Sequence, residues 1–235
     1  LNLTSWALMN TSQAIIYYSR SQDQQALSSL SESLSYLNRV ESLAQNLNST
    51  GHMSYVMADL LYGLSTDLSS LDQLIEAGIN EYPTPPSSYV PDMLLAAEGV
   101  ANASLSFKFD SLADASLYAG NVTGFLTYVN ISNVTLWDSL RISSSLRQLL
   151  SKSPLVEGSA MQALSDVAAI TSWTSASGLA KLASRGLSEY LSYEGSLNLA
   201  SSYTAGSLSY ESQLGVEVNI TEQRPNVPTG VNQSI

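Results

Sequence analysis

The chain has 235 residues, with 9 Lys+Arg against 20 Asp+Glu and a formal net charge of −11. Charged residues are 12% of the chain, about half the roughly 25% of an ordinary soluble domain, while 44% are apolar. The 43 Ser and 13 Thr stand where surface charge usually does, and there is one His and no Cys. This excludes a disulfide-stapled miniprotein, a Cys-ligated metal site, a basic nucleic-acid binder and a triad using more than one histidine.

Leucine at helical spacing dominates the first half. Residues from about Leu3 to Arg20 predict a first helix, with Trp6, Met9, Gln13 and Ile16 as its contact face. Ser21 with Gln24 three residues on reads as a capping box. It opens a seam of Leu27, Leu30, Leu34, Leu37, Val40, Ala44 and Leu47, stopped near Gly51. Met53, Met57, Leu60, Leu64, Leu68, Leu71 and Ile75 form the next seam, ended by Gly78 and the prolines Pro83, Pro85 and Pro86. The pair predicts an antiparallel helical hairpin.

Pro91 and Asp92 suit a helix start, with a fixed φ and a carboxylate at the positive dipole end. The seam expected to follow is Leu94, Ala97, Ala101, Leu105, Phe109, Leu112, Ser116 and Ala119, stopped by Gly120. Residues 121–135 are β-branched and broken by Gly124, and predict a surface loop or short hairpin. Leu136 to Leu150 returns to helical spacing. Pro154 opens an Ala/Ser/Gly-rich region to about Leu214, read as two helices because of Gly178, Gly186, Gly195 and Gly206. The end, with Pro225 and Pro228, reads as an extended tail. The expectation is therefore an all-α, up-and-down bundle of about six helices over residues 1–215, with residues 82–91 as a candidate divide and 216–235 as tail or linker.

Nine Asn-x-Ser/Thr acceptor patterns occur, at Asn2, Asn10, Asn48, Asn102, Asn121, Asn130, Asn133, Asn219 and Asn232. With 14 Asn and about a quarter of positions hydroxylated, chance gives roughly three. The excess points to an extracellular or cell-surface chain carrying N-glycans. A surface solvated by uncharged hydroxyls keeps its hydration in acid, where carboxylates lose their charge. Stability is accordingly expected to change little down to about pH 3, barring buried carboxylates with depressed pKa. The opening LNLTSWALMN lacks a basic n-region, and no run approaches the roughly 18–20 apolar residues of a membrane span. The chain reads as a mature or trimmed ectodomain whose membrane contact, through an anchor or further segment, would lie outside these residues. Sequon density, richness in Ser, Tyr and Leu, few charges and no Cys together resemble surface proteins of thermoacidophilic archaea of the Sulfolobus type. The resemblance is one of whole-chain composition.

Candidate chemistry is sparse. His52, beside Gly51 in an interhelical loop, lacks the companions of a zinc site. Asp72/Glu76 and Asp110/Asp114 are carboxylate pairs four apart, each sharing a helix face; paired carboxylates serve glycosidases, but a solvated acidic face is the ordinary reading. Tyr190, Tyr193, Tyr203 and Tyr210 offer an amphipathic contact surface. No nucleophile elbow, Ser-x-x-Lys, dinucleotide fingerprint or P-loop is present. No catalytic residue, cofactor or metal is expected. The expected function is a structural or interaction module, namely a stalk, spacer or component of a surface layer or filament, with itself or other surface proteins as partners and no nucleic acid. The alternatives are a solute-binding or sensory ectodomain with an interhelical pocket, and an acid-active hydrolase using carboxylates among Asp110, Asp114, Glu189 and Glu194.

Overall fold

A computed structural model describes residues 1–50 and 55–150, together with 160, 163–164, 166–171, 174–175 and 178. Five helices follow in order: α1 Asn2–Ser19, α2 Asp23–Thr50, α3 Tyr55–Glu81, α4 Val90–Tyr118 and α5 Val122–Leu150. The described residues between 160 and 178 are helical too and make a sixth segment. The protein is an all-α bundle.

Successive helices run up and down. Ser5 pairs with Ser104 and Ser12 with the Ala97 carbonyl, so α1 and α4 are antiparallel. Ser132 meets Ser106 and Ser139 meets Gly99, so α4 and α5 are antiparallel as well. All six segments contribute to one central core, in which Leu37, Leu64, Phe107, Leu136 and Ile170 are fully buried. Each such side chain contributes about 1.5–3 kcal/mol on leaving water.

The bundle has an internal structural repeat at an offset of 99 residues. α1 ends at Ser19 and α4 at Tyr118; α2 begins at Asp23 and α5 at Val122. The turns between them share their two closing hydrogen bonds. Gln22 N–H reaches the Tyr17 carbonyl and Ser21 N–H that of Tyr18, as Asn121 reaches Ser116 and Gly120 reaches Leu117. This is the Schellman pattern, which needs a left-handed residue after the helix. Ser21 takes it at φ 55 and Gly120 at φ 74. Between the halves, Ser5 Oγ donates to the Ser104 carbonyl at 2.9 Å and Ser104 Oγ to the Ser5 carbonyl at 2.7 Å. That reciprocal exchange marks a local two-fold axis.

Packing inside each three-helix unit repeats with compensation. Ala14, Ala26, Leu30 and Ile79 cluster in the first; their matches 99 residues on are Ala113, Phe125, Val129 and Gly178. In the first unit a small Ala26 on α2 faces the larger Ile79 on α3. In the second, Phe125 on α5 takes the space, and a Cβ at Gly178 would overlap its ring.

Several expectations change. Ser21 is not a helix cap but the left-handed residue closing α1. The contact face of α1 is Thr4, Ser5, Ala7, Leu8, Thr11, Ser12 and Ala14. Trp6 is 48% exposed and lies edge-on to Tyr36. Small and hydroxyl residues let α1 and α4 approach closely, and a face built on Trp6 would hold them apart. On α4 the buried set includes Ala103, Ser104, Ser106, Phe107, Asp110 and Ala113, whereas Leu94 and Leu112 are exposed. Residues 122–135 are helical rather than loop or hairpin; Asn121 starts α5 by accepting the Gly124 N–H at 2.9 Å. The seams of α2 and α3 agree wherever their side chains are described. The expected tail at 216–235 lies outside the described residues.

Two tests follow from the repeat. Gly178→Ala is expected to cost about 1–3 kcal/mol by overpacking and Phe125→Ala about 3–5 kcal/mol by leaving a cavity. Combining Phe125→Ala with Gly178→Ile reproduces the first unit's pair and should recover much of the loss in urea unfolding. Ser21→Gly is expected to stabilise by up to about 1 kcal/mol, since glycine carries no left-handed penalty, and Gly120→Ala to cost a similar amount in the same measurement.

Candidate functional site: two buried carboxyl clusters and an apolar cavity

The carboxylates that the sequence offered for chemistry divide sharply by burial. Asp72 on α3 is fully buried, and its Oδ1 accepts from Thr11 of α1 at 2.7 Å. The Ser33 hydroxyl of α2 lies 3.1 Å from that of Thr11 and also hydrogen-bonds the carboxyl. Its second oxygen, Oδ2, is buried without a hydrogen-bond partner. Asp110 on α4 is likewise fully buried; Ser132 of α5 donates to Oδ1 at 2.7 Å and Thr171 of the sixth segment to Oδ2 at 2.9 Å. Ser106 completes this cluster, 2.9 Å from Ser132 and 3.2 Å from Thr171.

These clusters occupy the same three positions of the repeat. Thr11, Ser33 and Asp72 correspond to Asp110, Ser132 and Thr171, and both sets are spaced by 22 and 61 residues. Each unit holds one Thr, one Ser and one Asp, but the carboxyl has changed helix. Of the expected helix-face pairs, Asp110/Asp114 is coupled, Asp114 adding to the rise of Asp110, whereas Glu76 is not among the groups that shift Asp72; Asp72 and Asp110 turn inward, while Glu76 and Asp114 are half-buried.

Burial disfavours the charged form of each carboxyl. It raises Asp72 to about 6 against the hydrogen bonds from Ser33 and Thr11. It raises Asp110 to about 7 against those from Ser132 and Thr171, with Asp114 adding to the rise. Asp67, half-buried on α3, is raised to about 6 by the same desolvation. A neutral carboxyl in a dry hydroxyl cluster serves as a hydrogen-bonded link between three helices. Among the described residues no group of three or more His, Cys, Asp or Glu is arranged to hold a metal ion.

Away from both clusters lies a cavity of about 430 Å³. Leu8, Leu68, Ile75, Met93, Ile142 and Val167 bring walls from α1, α3, α4, α5 and the sixth segment. The proline connection between α3 and α4 covers one end: Pro85 is buried, and the Tyr18 hydroxyl donates to the Tyr82 carbonyl at 2.7 Å. The wall from α4 is what breaks the repeat. α4 begins at Val90, eleven residues before the part matching α1, and Asp92, Met93, Ala96, Gly99 and Val100 line the cavity from that extension. Sequence spacing had not pointed to this site, whose lining belongs to five segments.

The acceptor asparagines differ in setting. Asn2, Asn121 and Asn130 are exposed, Asn10 and Asn102 half-buried, and Asn133 is only 5% exposed. Asn48 lies near the end of α2. Apart from Asn121 these acceptors sit in helices, not the loops that the motif suggests. Asn219, Asn232, His52, Glu189, Glu194 and the four C-terminal tyrosines lie outside the described residues. No described helix is long and apolar enough to cross a membrane. No protein-family model matches the sequence, and comparison with curated proteins and with solved structures returns no match.

The raised carboxyls fix the sign of the pH dependence. Their folded-state pKa values lie above the unfolded value of about 4, so the folded chain binds more protons between about pH 4 and pH 7. Their contribution is full below pH 4 and is lost as pH rises through 6 to 7. The bundle is expected to melt at a higher temperature at pH 4.5 than at pH 8, a gain in acid where composition alone predicts little change. Asp72→Asn with Asp110→Asn should reduce that difference in thermal melts followed by circular dichroism, leaving the part due to Asp67. An unchanged slope in the double variant would place the titration elsewhere.

Proposed function

We propose that this chain is a non-catalytic, N-glycosylated extracellular module: a spacer or interaction unit of a cell surface. The observation that carries the reading is the use made of the buried carboxyls. Asp72 and Asp110, strong candidates for acid chemistry by residue type, are each committed to hydroxyls of neighbouring helices. Their role is to hold helices in register. Sequon density supports the extracellular part, since nine acceptors exceed the number that composition supplies. Exposed acceptors at Asn2, Asn121 and Asn130 leave room for glycans without disturbing the core. Carboxyls that are most comfortable protonated suit an acidic exterior, in keeping with the compositional resemblance to surface proteins of thermoacidophilic archaea.

Glycopeptide mapping and intact mass of protein from its native source test this reading. The mass is expected to exceed that of the polypeptide and to fall to it on deglycosylation. Asn130 should be occupied and Asn133, three residues on but buried, bare. An unmodified native mass would remove the proposal.

A further inference from the structure

The geometry points to the interhelical cavity as a binding site for an uncharged, elongated, hydrocarbon-like small molecule such as an alkyl chain. This goes beyond the spacer reading and does not depend on glycosylation.

Size and shape come first. An engineered apolar cavity of about 150 Å³ binds benzene; this one holds about 430 Å³, within the ordinary range of small-molecule sites. Its lining on α4 runs from Asp92 to Ala103, roughly 16 Å of helix at 1.5 Å per residue. The lining thus follows one face of α4 for about three turns, which suits an extended occupant.

Chemistry selects the occupant. The walls are overwhelmingly apolar. Of their five polar side chains, Ser139 donates to the Gly99 carbonyl at 2.8 Å and Tyr18 to that of Tyr82, and the others are Tyr89, Asp92 and Ser143. Walls that are mostly hydrocarbon cannot replace the water that a polar ligand would lose along its whole length on entry. Asp92, in the first turn of α4, is the one carboxyl among the described lining residues, and the chain's net charge is −11. Both repel an anionic head group, so a neutral alcohol is preferred to a carboxylate of the same chain length.

Small residues keep the cavity open. A Cβ built at Gly78 meets nothing within 4 Å, although Gly78 lies on the lining. Helical glycine costs up to about 1 kcal/mol relative to alanine, so a larger residue there would fill space without a backbone penalty. Ala96 lines the wall from α4.

The test uses the full chain with N-phenyl-1-naphthylamine as a neutral fluorescent probe. Binding is expected to saturate at one probe per chain and to be displaced by 1-decanol at least tenfold more effectively than by decanoate at pH 8. Gly78→Leu and Ala96→Leu should each weaken the probe at least tenfold while keeping the helical circular dichroism of the parent. Phosphatidylcholine vesicles distinguish the source of the chain. A lipid-sized mass gain in native mass spectrometry after incubation with vesicles assigns the site to membrane lipid, and displacement by dissolved decanol alone assigns it to free solutes. Absence of saturable binding to the parent chain overturns the site. So does undiminished binding in the two folded variants, or equal displacement by decanoate. Should one variant fail to fold, the other and the parent stoichiometry still decide.

Discussion

The architecture depends on how closely α1 can approach α4. Ser5 and Ser104 exchange side-chain to main-chain hydrogen bonds across the contact, and that exchange is feasible only where neither helix presents a large side chain. Ala7, Ala103 and Ser104 keep the contact narrow. Two three-helix units thereby share one core instead of meeting as separate domains. The hydroxyls serve a second purpose there, since a serine is small enough for close packing and satisfies its polar atom on a neighbouring carbonyl.

Within each unit a carboxyl–hydroxyl cluster fixes how the three helices meet. A buried polar cluster contributes less to stability than an apolar replacement of the same shape often would. It does penalise wrong arrangements, because a carboxyl displaced from its hydroxyls stays buried and unsatisfied. Neutral carboxyls reduce that cost in acid, which joins the compositional argument about an acidic exterior to a particular pair of residues.

Much of the helical framework is legible in the residues themselves. The Leu30–Leu37–Val40–Ala44 and Leu64–Leu68–Leu71 seams are strongly amphipathic, and spacing alone orients them. α1 and α4 defeat the same approach because their buried faces are hydroxyl-rich, so periodicity of large apolar residues selects Trp6, Leu94 and Leu112 instead. The 122–135 stretch misleads through its β-branched residues, whose weak helix propensity is overridden by tertiary packing of Phe125 and Val129. The internal repeat is hidden for a related reason. Only seven of the first fifty residues are identical to the residue 99 positions on, and matching contacts are made with partners exchanged between helices. Asp72 and Asp110 are legible as acidic residues but their burial is not; the start of α4 is legible from Pro91 and Asp92, whereas the cavity that its first turns line is assembled from several helices and leaves no linear signal.

The exchanged partners bear on how a chain with an internal structural repeat reaches its native state. Two similar halves on one polypeptide invite each third helix to dock into the wrong half, a known hazard of repeated sequences. Here such an error is self-defeating. If α3 entered the second half, Asp72 would face Asp110 and Ile79 would collide with Phe125. If the sixth segment entered the first, Thr171 would meet Thr11 with no carboxyl between them, and Gly178 would leave a void against Ala26. The unlike residues at matching positions thus give each half a lock that only its own key fits.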